Sequence, residues 1–221
     1  MKLVTFQSMD ALKDLINKGY LECNNNIDFK NKKIYDYIVS KMNEKIVNKY
    51  NTKYPLWCWV KCYNGICPPK HKGNKVDGFD VKITFNKDIK DVFITDFRRY
   101  SFLLNNKFIP NSLNELSIFK SELKKYKITD KELLDYIRNK DDVRRDTDFI
   151  KMCKKIESSF DRCITTDSDI LQGCIWRIDL DDVESIEILK DDGYVYGSLN
   201  YIRSNGKRMN WIKDYYKKLG D

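Results

Sequence analysis

A handful of residues in this 221-residue chain have types and spacings that could do chemistry. Gln172 and Gly173 open an apolar-alternating run within DILQGCIWRIDLDDVESIEILK, Asp169 to Lys190. A carboxamide there can bind a polar ligand, and the glycine lets another group approach the backbone closely because no side chain intervenes. Glu157 and Asp161 lie four apart beside Phe160, so on a helix they share one face and form a carboxylate pair. Trp57 and Trp59 alternate with Cys58 and so point the same way on a strand, as a stacking platform for a base or nicotinamide or as core. Asp96 and Asn105 flank FRRYSFLLN and are placed to line a cleft, with N-capping the competing role for Asp96. Cys58, Cys62, Cys67 and His71 could close a tetrahedral zinc site. Their spacing, C-x3-C-x4-C-x3-H, lacks the paired C-x2-C knuckle, and cysteine in an aromatic strand is an ordinary small core residue, so no metal is assigned.

Several reaction classes fall away. His71 is the only histidine, which removes Ser-His-Asp and Cys-His catalysis and histidine-based metal chemistry. No glycine cluster of the Walker or dinucleotide type follows a strand. The formal charge of +8 favours polyanions or anionic ligands, although abundant Lys, Asn, Ile and Tyr are also what an AT-rich genome encodes. No apolar run reaches the roughly 18 residues of a membrane helix. Asp10 and Asp14 occupy the place where a signal peptide needs apolar residues, so a cytoplasmic protein without membrane contact is expected. Seven cysteines in a chain of this size read as reduced thiols.

The elements that must position these residues follow from periodicity. Lys2 to Gln7 alternates as a strand; Ser8 then caps a helix whose apolar face, Met9, Leu12, Leu15 and Ile16, ends at Gly19. A long amphipathic helix is expected from about Lys30 to Tyr50, a strand over Tyr54 to Tyr63, and a mobile basic loop from Asn64 to Gly78 carrying Lys70 to Lys75. Strands resume at Phe79 to Phe85 and Asp91 to Thr95, and Phe97 to Phe108 reads as a buried helix. Between Asn111 and Phe160 the pattern is helical, with a capping box at Thr129 and Glu132, and dense charge suggests a solvated insertion. Two strands joined by Asp181-Asp182 close the domain, and residues 191–221 form an aromatic and basic extension. The expectation is a single α+β domain over residues 1–190, with a split, mainly antiparallel sheet and a helical insertion at 111–160.

The ordered series VTFQS at Val4 to Ser8, YDYI at Tyr35 to Ile38, PLWCW at Pro55 to Trp59, TDF…LLN from Thr95 to Asn105, IESSFD at Ile156 to Asp161 and LQGCIW at Leu171 to Trp176 resembles a bacterial family known as a domain of unknown function. The chain departs from that pattern at Val4 in place of Trp, Lys70 in place of Asp and Ser101 in place of His. More faintly, the arrangement looks like ADP-ribosyltransferase-type folds. That resemblance implies an NAD-binding domain with Thr5 or Gln7 as the first-strand contact, Trp57 or Trp59 as the stacking aromatic and Gln172 in the late-strand catalytic position. Asn105 would line the same cleft. Gln172 is not a carboxylate, so Glu157 or Asp161 would have to supply the charge that stabilises an oxocarbenium ion. The resemblance also implies a nucleic-acid or protein acceptor and a setting in toxin or phage-defence biology. The alternative is a non-catalytic module that binds nucleic acid or a partner protein through the basic loop and tail.

Overall fold

The computed structural model describes residues 1–23, 32–61, 80–137, 143–189 and, for the backbone, 195–199. The chain order is β1 (Lys2–Gln7), α1 (Met9–Lys18), β2 (Tyr20–Glu22), α2 (Lys32–Lys45), β3 (Leu56–Lys61), β4 (Val81–Asn86), β5 (Phe93–Asp96) and α3 (Phe97–Leu104). It continues with α4 (Leu113–Tyr126), α5 (Asp130–Ile137), α6 (Thr147–Ser159), β6 (Leu171–Ile175), β7 (Arg177–Asp179), β8 (Val183–Leu189) and β9 (Val195–Leu199). Seven strands form one sheet in the order β5-β6-β3-β1-β4-β8-β9, and β2 pairs with β7 in a separate two-stranded sheet. Each pairing among these strands is antiparallel. The fold is α+β.

Helix termini follow sequence chemistry. The Ser8 hydroxyl accepts from the Ala11 N–H, and Gly19, at φ 82°, ends α1 in the left-handed conformation. Thr129 and Glu132 form the reciprocal capping box at the start of α5. Helix α2 stops at Lys45, short of the expected Tyr50, because the Asn48 side chain accepts from the Tyr50 N–H and donates to the Thr52 carbonyl, turning the chain instead. Helix α3 likewise ends at Leu104, since Asn106 enters the left-handed region at φ 49°.

The sheet separates two cores. Leu12 and Leu15 of α1 pack with Leu3, Ile83, Phe85 and Ile186 on one face. On the other, α2, α3 and α6 cover the β5-β6-β3 end through Ile38, Met42, Leu103, Met152 and Ile156 against Phe93 and Cys174. The charged exterior of α4 to α6 accompanies a buried inner side that includes Phe119 of α4, Leu133 of α5 and Phe149, Met152 and Ile156 of α6.

The run from Leu171 to Leu180 is two strands where one was expected. Trp176 is buried and donates its indole N–H to the Ile46 carbonyl at 3.4 Å. The chain bends there, so β6 stays in the large sheet while β7 joins β2. Nor do β6 and β8 pair with each other, because β3, β1 and β4 lie between them.

Candidate functional site

Register brings several candidate residues into one row. Thr95 pairs with Gln172, Gln172 with Trp59, and Trp59 with Val4, so these four side chains lie on the same face across β5, β6, β3 and β1. Trp57, two residues from Trp59, shares that face beside Cys174. Helix α3 lies over the row. The Trp59 and Phe97 rings are 4.9 Å apart and the Trp57 and Tyr100 rings 4.6 Å apart. The helix is fixed there by Asp96, whose side chain accepts from the Arg99 N–H, and by the Phe97 N–H, which donates to the Ile170 carbonyl. Asp96 thus serves as the N-cap. Tyr35 of α2 meets Trp57 edge-on at 6.4 Å and extends the aromatic wall.

Polar groups are gathered in this greasy setting. The indole nitrogen of Trp57, the hydroxyls of Thr95 and Tyr100 and the side-chain nitrogen of Gln172 are all shielded, and none has a hydrogen-bond partner among the described residues. Thr95, Tyr100 and Gln172 are 0%, 5% and 6% exposed. An unmet buried polar group costs about 1–3 kcal/mol, so four in one region are expensive unless a ligand or ordered water engages them. Burial holds the Tyr100 phenol well above its ordinary pKa, so it is a neutral donor and acceptor. At the rim, Phe97 is 36% exposed and Trp59 is half-buried, which leaves aromatic surface within reach of a planar group.

The other candidates lie elsewhere. Thr5 and Gln7 project from the opposite face, where Thr5 pairs with Ile83 and Gln7 with Val81. The Thr5 hydroxyl donates to the Trp57 carbonyl, and the Gln7 amide donates to Thr5, at 2.8 Å each. They brace β1 against β3 behind the row. Asn105 caps the far end of α3, about 12 Å from Phe97 at the helical rise, and its amide donates to the Ser101 carbonyl.

Glu157 and Asp161 face α2: Glu157 pairs with Lys33 at 2.7 Å, while Asp161 accepts from Tyr37 and pairs with Lys41 at 3.3 Å. Lys33, Tyr37 and Lys41 recur every four residues, so the two carboxylates stitch α6 and the turn after it to one stripe of α2. Burial and the hydrogen bond to Asp161 hold the Tyr37 phenol above its ordinary range.

Gly173 is required by packing. A Cβ at that position would stand 2.8 Å from Val92 Cγ1, 3.0 Å from Val60 Cγ2 and 3.1 Å from Cys58 Sγ. The Cys58 thiol donates to the Gly173 carbonyl at 3.4 Å, and burial pushes its pKa up to about 12, so it is a protonated core residue. Cys62, Cys67, His71 and the basic loop lie outside the described residues, as does the tail from residue 200. Among the described residues, no group of three or more His, Cys, Asp or Glu side chains could hold a metal ion. Nor is any described helix long and apolar enough to cross a membrane.

Gln172, Trp57 and Trp59 are thus brought together, and they are joined by two residues that sequence reasoning left out of the site, Thr95 and Tyr100. Thr95 read as the end of a strand and Tyr100 as one apolar position of a helix. Thr95 meets Gln172 through pairing between strands more than 70 residues apart in the chain, and Tyr100 joins them through its ring contact with Trp57.

No curated protein and no solved structure matches the chain. A family model does, over residues 2–184, an interval that takes in every element from β1 to the start of β8. The chain belongs to the family described as the domain of unknown function DUF3841.

Proposed function

We propose that this domain binds NAD or a related nucleotide in the manner of an ADP-ribosyltransferase-type domain, at the face of β5, β6 and β3 beneath α3, and presents it to a nucleic-acid or protein acceptor. The observation that carries this reading is the convergence of four buried polar groups, on Trp57, Thr95, Tyr100 and Gln172, that have no partner among the described residues, behind the partly exposed Trp59 and Phe97 rings. Such a set suits a planar head that stacks on aromatic surface and offers hydrogen-bond acceptors inward. Gln172 would orient an amide or ribose hydroxyl, since a carboxamide carries no charge to stabilise a cation.

Ion pairs with α2 occupy Glu157 and Asp161, so the proposal assigns them no part in the site. Binding is the primary activity in this reading, and group transfer would need a charge supplied from elsewhere.

Nucleotide binding to the native state raises the unfolding temperature by mass action. Wild-type protein in millimolar NAD is expected to unfold at a higher temperature and to show quenched tryptophan emission, and Gln172→Ala is expected to lose both responses. If NAD gives no response while nucleic acid binds with a steep salt dependence, the nucleotide reading fails and the binding-module reading replaces it.

A further inference from the structure

The far end of α3 carries a concavity away from the sheet row. A partly open pocket of about 530 Å³ lies between the α3 end, α4, α5 and α6, a volume within the range of small-ligand pockets. Its floor is apolar: Phe108 and Phe119 are stacked at 4.3 Å, and Ile156 and Leu133 are buried behind them. Leu123 and Leu134 line it, and Phe102, 38% exposed, forms one lip. The backbone is shaped around this hollow, because Asn106 takes a left-handed conformation and its amide donates to the Leu133 carbonyl at 2.6 Å.

The charged residues that line it, Lys107, Lys120 and Asp130, are all exposed. Neither lysine has an ion-pair partner among the described residues.

We propose that this pocket binds an amphiphilic monoanion, a free long-chain carboxylate, with its apolar body against Phe108, Phe119 and Leu134 and its head between Lys107 and Lys120. The apolar walls select a hydrocarbon body through burial. Two cations against one carboxylate at the rim leave a single net positive charge, which suits a monoanion and disfavours the multiply charged phosphates of a nucleotide. The pocket therefore differs in chemistry from the sheet row, which gathers buried polar groups without partners among the described residues.

The test is titration calorimetry of the full chain with dodecanoate below its micelle concentration, with dodecanol as the uncharged counterpart. The expected result is saturable binding of dodecanoate at one site. Leu134→Trp, which fills the pocket, is expected to weaken it at least tenfold. Lys107→Glu combined with Lys120→Glu changes only exposed side chains and should weaken dodecanoate at least tenfold while leaving dodecanol unchanged. No saturable binding, or binding unaltered by both variants, would overturn the proposal. Equal affinity for dodecanol and dodecanoate in wild-type protein would overturn the role of the lysines, and preference for anionic vesicles over monomeric dodecanoate would overturn the free carboxylate as occupant.

Discussion

At the scale of single residues, polar groups that are satisfied and polar groups that are not behave differently. Thr5 and Gln7 are satisfied by each other and by a backbone carbonyl, whereas the Thr95 hydroxyl and the Gln172 side-chain nitrogen are buried without partners among the described residues. Thr95→Val and Tyr100→Phe each remove an unmet hydroxyl while keeping shape. Both variants should therefore match or exceed wild type in urea stability while weakening NAD binding, a combination that a purely structural role would not give.

Gly173→Ala is the opposite case. Its Cβ would meet two valines and a sulfur at 3.1 Å or less, and overpacking of that kind costs about 1–3 kcal/mol, measurable as a lower urea midpoint. Buried thiols give a third residue-scale test. Burial pushes Cys58 and Cys163 to about 12 and Cys153 to about 11, so peptide-level mass spectrometry at pH 8 should find all three unalkylated until the protein unfolds.

At the scale of elements, local signals in the sequence were reliable where the physics is local. Ser8, Gly19 and the Thr129 and Glu132 box sit where their side-chain and backbone chemistry requires. Apolar periodicity misleads where a distant partner or a polar turn decides the outcome. The bend at Trp176 depends on a carbonyl 130 residues away, and α2 ends early through an asparagine turn that apolar periodicity does not register. Glu157 and Asp161 were legible as a pair sharing a helix face, but their partners on α2 were not, and those partners make them a fastening between helices. Glu157→Ala and Asp161→Ala are accordingly expected to lower stability by about 1 kcal/mol or less, as for exposed ion pairs, and to leave NAD binding unchanged.

The start of α4 adds a pH dependence. Glu115 accepts from the Asn111 N–H and pairs with Arg162 at 3.0 Å, and these contacts hold it below the ordinary 4.5 of its kind. A depressed carboxylate contributes stability above its unfolded pKa and loses it as pH falls through the lower native value. Urea midpoints should therefore fall below about pH 4.5, with a shallower fall in Glu115→Gln than in wild type.

At the scale of the whole molecule, the sheet divides the protein into a face packed by α1 and a face packed by α2, α3 and α6, and the two faces have different duties. The α1 face is apolar apart from Thr5 and Gln7, whose side chains are hydrogen-bonded. The other carries, at one end, the polar and aromatic row that no local pattern could assemble, because Thr95, Gln172, Trp59 and Val4 come from four strands whose order in the sheet differs from their order in the chain. The α+β class and the pairing of Trp57 with Trp59 on one face were legible from alternation. The placement of Thr95 beside Gln172, and of Thr5 and Gln7 on the opposite face, needed the register, and the positions of Tyr100 and Asn105 needed the packing of α3.

That division makes one measurement decisive: titration calorimetry of wild-type protein and of Gln172→Ala with NAD, alongside Gln7→Ala from the opposite face. The account predicts saturable binding to wild type and Gln7→Ala, weakened at least tenfold in Gln172→Ala. Binding that survives the loss of Gln172 but not of Gln7, or no heat of binding at millimolar NAD, would contradict it.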